Sequence, residues 1–186
     1  MLLPVLGCLM GVSCKNLEGR RPITQATDTS IQAAIENNKE LYAAEEAAIE
    51  EVIANQDRNF ERGATGFYYS FVQKDSIESK QPTFGDRLTF TYDVTALDGS
   101  VIYTQEEIGT VTKSMEQEYG IFRGMREALK LMQEGEEMIV YFPSYAAYGY
   151  YGDNNRIGVN VPFRSQVKLM EIKVNQEEEI VVPKQQ

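Results

Sequence analysis

The chain has 186 residues, 42% hydrophobic and 25% charged, enough for one ordinary globular domain with an appendage and too few for two full-sized domains. Its formal net charge of -10 argues against nucleic acid or an anionic membrane surface as the main partner, because both need a basic face. With 0 histidines it has no imidazole acid or base, no Ser-His or Cys-His pair and almost no route to a zinc site, so neither metal nor cofactor is expected.

The first segment, "MLLPVLGCLMGVSCKN", is apolar from Leu2 to Val12. That run is too short to span a bilayer and has the length of a signal-peptide core. Ser13-Cys14 followed by Lys15-Asn16 resembles a lipoprotein cleavage site, in which Cys14 becomes the lipidated first residue. Cys8 in "VLGC" competes, but its apolar run is too small. No Lys or Arg precedes the apolar stretch, which points to a start upstream of Met1. The 2 cysteines, Cys8 and Cys14, both lie here, so the rest of the chain has no thiol chemistry and suits an oxidising compartment. The expectation is a chain in the cell envelope, lipid-anchored to a membrane and facing the periplasm, with residues 1–14 as the signal and lipidation segment.

Residues 15–28, "KNLEGRRPITQATD", read as a flexible tether. Asp28, Thr29 and Ser30 are N-cap candidates for an amphipathic helix over 29–62. Ile31, Ile35, Tyr42, Ile49, Val52 and Ile53 recur at helical spacing, with Glu and Lys on the other face. Asn38 and Glu45 interrupt a strict heptad, so a long coiled coil is not secure, and a helix docked on its own domain or loosely solvated is favoured over a spacer or oligomerisation helix.

After "ERGATG" the period changes. Phe67, Tyr69 and Phe71 alternate as in a strand. In "DRLTFTYDVT" Leu88, Phe90, Tyr92 and Val94 face one way. Asp98-Gly99 is a hairpin turn, with Val101-Ile102-Tyr103 returning. Residues 105–119 show no period. Phe122, Met125, Ala128, Leu129 and Met132 form a helical stripe stopped at Gly135. "MIVYF" is a buried strand closed by Pro143, a Gly- and Asn-rich loop follows, and 163–174 is the last strand before a tail at 175–186. Antiparallel strands with one short helix among them predict an α+β domain, a sheet wrapped on a single helix.

The ordered set "GDRLTFTYDVTALDGSVI", "IFRGMREALKLMQEGE", "VYFPSYAAYG" and "NNRIGVNVPFRSQVKLMEI" resembles the FKBP-type peptidyl-prolyl isomerases over residues 66–174. The exported, helix-preceded arrangement is similar to the gliding-motility-associated FKBP-type lipoproteins of Bacteroidetes. The resemblance implies an FKBP-like domain whose clients are proline-containing polypeptides, with activity in folding or assembly of exported proteins. It implies a prolyl pocket lined by Tyr92, Ile102, Ile121, Phe122, Met125, Tyr148 and Ile157. In that pocket the hydroxyl of Tyr148 and the backbone N–H of Phe122 donate to substrate carbonyls, Tyr92 is a third catalytic position, and Met125 forms the floor.

The departures from the family pattern are specific. Met125 stands where the floor is usually Trp. Tyr103 replaces the usual Asp, which removes an acceptor. Ser165 takes the place of an aromatic on the last strand. Ile157-Gly158-Val159 replaces Ile-Pro-Pro, which implies a less rigid lid. Weak isomerase activity, or none with peptide binding retained, is what these changes imply, and a non-catalytic binding or assembly lipoprotein on the same scaffold is the competing reading.

Overall fold

Ala and Glu dominate residues 43–51, and strong helix formers sustain a helix α1 from Gln25 to Ala54. The computed structural model of the chain describes residues 25–74, 80–115 and 120–174; the lipidation segment with Cys14 and the tail lie outside these. The helix begins before the expected caps and ends before the expected limit. At its end the Asn55 side chain bonds the Glu51 carbonyl at 2.9 Å, satisfying a terminal acceptor, and the polar run 55–59 turns away.

The chain divides at Glu36/Asn37 into two units. In the first, the described residues are the opening turns of α1, where Ile31 and Ile35 are 49% and 53% exposed. The second holds everything after Asn37. Its strands are β1 (Glu61–Arg62), β2 (Tyr68–Gln73), β3 (Arg87–Tyr92), β4 (Val94–Ala96), β5 (Val101–Tyr103), β6 (Val111–Ser114), β7 (Glu137–Phe142) and β8 (Phe163–Lys173). Short helices α2 (Gln105–Ile108) and α3 (Arg123–Leu129) intervene, with 3₁₀ turns at Ser144–Ala146 and Gly149–Tyr151.

All the described strands join one antiparallel sheet ordered β1-β2-β7-β8-β3-β6, with β4 against β8 and β5 against β4. The long β8 is central, pairing with β7 on one side and with β3 and β4 on the other. The stretch 86–95 is two strands rather than one. Asp93 breaks it: its carboxylate accepts the Gln166 N–H at 2.6 Å and its carbonyl accepts the Ser165 hydroxyl at 2.5 Å. The stretch 105–119, which shows no period in the sequence, contains α2 and β6. Both are four residues long, too short to show a period, but Thr104 and Glu107 form a capping box that starts α2.

One face of the sheet wraps α3. Leu88, Phe90, Val94, Met138, Val140, Phe142, Phe163, Val167 and Leu169 join Met125, Ala128, Leu129 and Met132 there as a single buried core. The unalternating apolar run of β7 has a second cause. Ile139 and Tyr141 point to the opposite face, where with Tyr68 they bury Ile49 of α1 completely. Burying that one isoleucine contributes about 2 kcal/mol.

The glutamates of α1 do not all face solvent, as the sequence suggested. Glu45 is 6% exposed and accepts both the N–H and the hydroxyl of Ser144, each at 2.7 Å. Glu46 takes the Tyr145 hydroxyl at 2.5 Å and Arg62 at 2.7 Å, and Glu50 takes the Tyr68 hydroxyl at 2.7 Å. The heptad interruption at Glu45 is therefore an attachment point.

Candidate functional site

The apolar residues of "IFRGM" bring the chain from the sheet edge into α3. Phe122 caps the helix with extended backbone, φ -66° and ψ 155°, and has no side chain able to cap it. Its N–H has no hydrogen-bond partner among the described residues. Its ring lies 5.0 Å from Phe142, 5.1 Å from Tyr148 and 5.7 Å from Phe163, mostly edge to face. Gly124 lets the helix approach the loop after β7. A Cβ on it would lie 2.6 Å from the Ala146 carbonyl oxygen and 2.8 Å from the Phe142 ring.

All seven residues expected to line a pocket converge on this core. Met125 and Ile157 are buried in it, and Tyr92, Ile102, Ile121, Phe122 and Tyr148 pack against it partly exposed. Met125 is 0% exposed, in the same buried cluster as Phe142 and Phe163. Phe142 and Phe163 thus supply aromatic surface beside the small floor residue. Phe163 was legible as the residue two before Ser165 on the same face of β8; its part in the aromatic layer was not.

Tyr92 ends β3 and Tyr148 follows the first 3₁₀ turn, and both pack against the core partly exposed. Burial pushes both phenols up, and the nearby negative charge of Asp153 pushes in the same direction. Tyr148 therefore stays protonated, a neutral donor, at any physiological pH. Two other tyrosines behave alike. Burial, reinforced by Glu50, raises Tyr68 to about 12, and burial, reinforced by Glu46, raises Tyr145 to about 12.

Phenols with folded values above their unfolded value of about 10 add stability that is complete below that pH and is lost as pH rises toward the folded values. The urea midpoint is accordingly expected to be level up to about pH 9.5 and to fall steeply above about pH 10. A midpoint unchanged through the tyrosinate absorbance titration would sink this.

Tyr103 does not leave the site without an acceptor. Its hydroxyl donates to Asp153 Oδ2 at 2.5 Å, and Asp153 Oδ1 accepts the N–H groups of Asn155 and Ile157 at 2.8 Å each. Desolvation raises the Asp153 value, but these three donors outweigh it and hold the carboxyl below its ordinary range. Arg156 stacks 4.8 Å above the Tyr103 ring, donates to the Ile102 carbonyl at 2.8 Å and forks onto Glu107 of α2 at 2.8 and 3.2 Å. The closing loop without its prolines is held by hydrogen bonds instead.

A separate, open cavity of about 390 Å³ lies between Arg62, the turn 63–66, Arg123 and Tyr145. It includes none of the seven expected residues, and its Arg62 is neutralised by Glu46. Among the described residues no group of three or more Cys, Asp or Glu is placed to hold a metal ion, and no helix is long and apolar enough to cross a membrane.

An antiparallel sheet wraps one short helix, with an unpartnered N–H at the helix entry and the partly exposed Tyr148 ring 5.1 Å from that of Phe122. The chain belongs to the FKBP-type peptidyl-prolyl cis-trans isomerase family, whose model matches residues 78–170. It is 34% identical over 110 residues to the probable FKBP-type isomerase FkpA of Neisseria meningitidis and 31% identical over 94 residues to the macrophage infectivity potentiator of Trypanosoma cruzi. These alignments cover 59% and 50% of this chain but only 39% and 47% of those proteins, less than half of either. Among solved structures it is similar to FkpA of Escherichia coli, with TM-score 0.59, 22% identity, and 81% of this chain and 70% of that one covered. A peptidyl-prolyl isomerase from Pseudomonas syringae superposes with TM-score 0.55 at 17% identity, covering 77% of this chain and 96% of the other. At such identity these two likenesses concern the fold.

Proposed function

We propose that this chain is a peptidyl-prolyl cis-trans isomerase acting on proline-containing segments of exported polypeptides, held at a membrane of the cell envelope by acylation of Cys14. The observation that carries the reading is the unpartnered Phe122 N–H at the entry to α3 together with the protonated Tyr148, whose ring lies 5.1 Å from that of Phe122.

Rotation about an Xaa–Pro bond is opposed by the double-bond character of the amide, a barrier of roughly 18–20 kcal/mol. Neither a base nor a nucleophile is needed. A pocket that binds the twisted amide better than the planar one accelerates the rotation. Apolar walls from Ile102, Ile121, Phe122 and Ile157 exclude the water that favours the polar planar form. The two donors hold the flanking carbonyls while the bond turns. In the twisted state the amide nitrogen regains its lone pair and the carbonyl loses charge, so a dry pocket discriminates in the required direction.

The experiment is exchange NMR on a short Xaa-Pro peptide with the purified protein. Turnover is expected below that of a typical family member, and Tyr148→Phe is expected to reduce kcat/KM about tenfold, the value of one hydrogen bond of about 1.4 kcal/mol. An unchanged kcat/KM in that variant would remove Tyr148 from the mechanism.

A second reading is favoured by one observation, the complete burial of Met125 where an accessible floor is expected. In that reading the domain binds prolyl or apolar segments without turning them over, as an assembly lipoprotein in gliding-motility machinery. A Tyr148→Phe, Met125→Ala chain that loses turnover yet keeps its biological function would support the second reading over the first.

A further inference from the structure

The carboxylate of Asp153 is fifty residues from Tyr103 in sequence and meets it through the fold. The loop that carries it is closed on itself. Gly152 adopts φ +64°, a left-handed conformation at which a Cβ would lie 2.3 Å from the Ile157 carbonyl oxygen. Asp153 N–H donates to that same carbonyl at 3.1 Å, while its Oδ1 takes the Asn155 and Ile157 N–H groups. Ile157 is 3% exposed and packs in the core with Met125. From the other side Arg156 N–H donates to the Tyr103 hydroxyl at 3.2 Å, and its guanidinium ties the loop to the carbonyl of Ile102. Tyr92 and Tyr148 both lie within the field of this carboxylate.

We propose that Asp153 is the acidic positioning residue of the prolyl site, supplied by the closing loop and clamped by Tyr103, and that this pair preassembles Ile157 and the loop that carries it for a proline-containing segment. The pair does for this chain what a rigid Pro-Pro loop and an acid on the strand would do together. The phenol at Tyr103 is longer than an aspartate, so it passes the acceptor role outward to a carboxylate whose remaining lone pairs fix the loop backbone. Breaking the pair loosens the loop, lowers the population of the binding-competent state and raises the apparent dissociation constant in proportion. Once bound, the substrate meets the same donors, so the chemical step is left nearly intact.

The inference rests on the prolyl-binding reading, and the test separates the two. Tyr103→Phe, Asp153→Asn and the double variant are compared with the intact chain for kcat, for KM, and for the Kd of a Xaa-Pro peptide measured by NMR titration. Each single variant is expected to raise KM and Kd about tenfold with kcat within about twofold, and the double variant is expected to be no worse than either single one. The Ile157 amide is expected to exchange faster with solvent in all three, at an unchanged melting temperature for Tyr103→Phe.

A structural role elsewhere in the fold would shift melting temperature without moving KM. Unchanged KM and Kd in folded Asp153→Asn, or effects of the two substitutions that simply add, would overturn the proposal. If the intact chain binds the peptide without turning it over, the isomerase reading fails while the tenfold change in Kd still decides this one. Absence of peptide binding by the intact chain would overturn both.

Discussion

Replacing Glu45 by Ala is expected to destabilise the protein by about 3 kcal/mol, measured by urea unfolding of the intact chain. The reason is local and specific. Ser144 is 0% exposed, and its N–H and hydroxyl both end on the Glu45 carboxylate. Removing the acceptor leaves two buried donors without partners, and each such donor costs about 1–3 kcal/mol. Glu45→Gln keeps one oxygen as an acceptor and should lose less than half as much. A Glu45→Ala protein with the midpoint of the parent would mean that water replaces the carboxylate and that this part of α1 is not anchored there. Ser144 opens the 3₁₀ turn that leads to Tyr148, so the loss should also appear in prolyl-peptide affinity.

Gly124→Ala is the second large effect. Alanine is the better helix former by about 1 kcal/mol, so propensity alone predicts a gain. Packing reverses the sign. The new Cβ would sit 2.6 Å from the backbone oxygen of Ala146 and 2.8 Å from a Phe142 ring carbon, and backbone cannot move aside as a flexible side chain would. A net loss of about 2 kcal/mol is expected in thermal or urea unfolding, as for other overpacked cores. Because the displaced partners carry Phe122 on one side and Tyr148 on the other, turnover should fall in the fraction that remains folded. A stabilised Gly124→Ala protein would show that α3 and the loop are further apart than these distances state. The Arg-Gly pair in this segment thus has a steric reason on its glycine side.

Much of this architecture was readable before any coordinates. The period-2 runs at Leu88–Val94 and the helical stripe from Phe122 to Met132 place core residues that do lie in one cluster. The seven residues expected at a pocket lie in that cluster or against it. What was not readable depended on contacts distant in sequence. Glu45 looks the same on paper whether it faces water or Ser144, because a carboxylate's burial is decided by a partner ninety-nine residues away. Tyr103 read as the loss of an acceptor, since nothing in "GDNNR" announces which side chain its Asp will meet. An Asx turn from Asp153 to Asn155 was the available local signal, and it fixes a bend without saying what the second oxygen does. Elements of four residues, α2 and β6, are below the length at which periodicity can speak, though the Thr104–Glu107 box marks where α2 begins.

The pairing of β2 with β7 has a practical corollary. The family match begins at residue 78, after β2, so a fragment cut at that boundary would lose β2 and α1 while keeping β7. It would uncover Ile139 and Tyr141 and turn β7 into an open, apolar edge, the kind of strand that recruits a neighbouring chain. A piece that keeps Ile139 and Tyr141 covered is therefore longer than the family match and includes both β2 and the Ile49 part of α1.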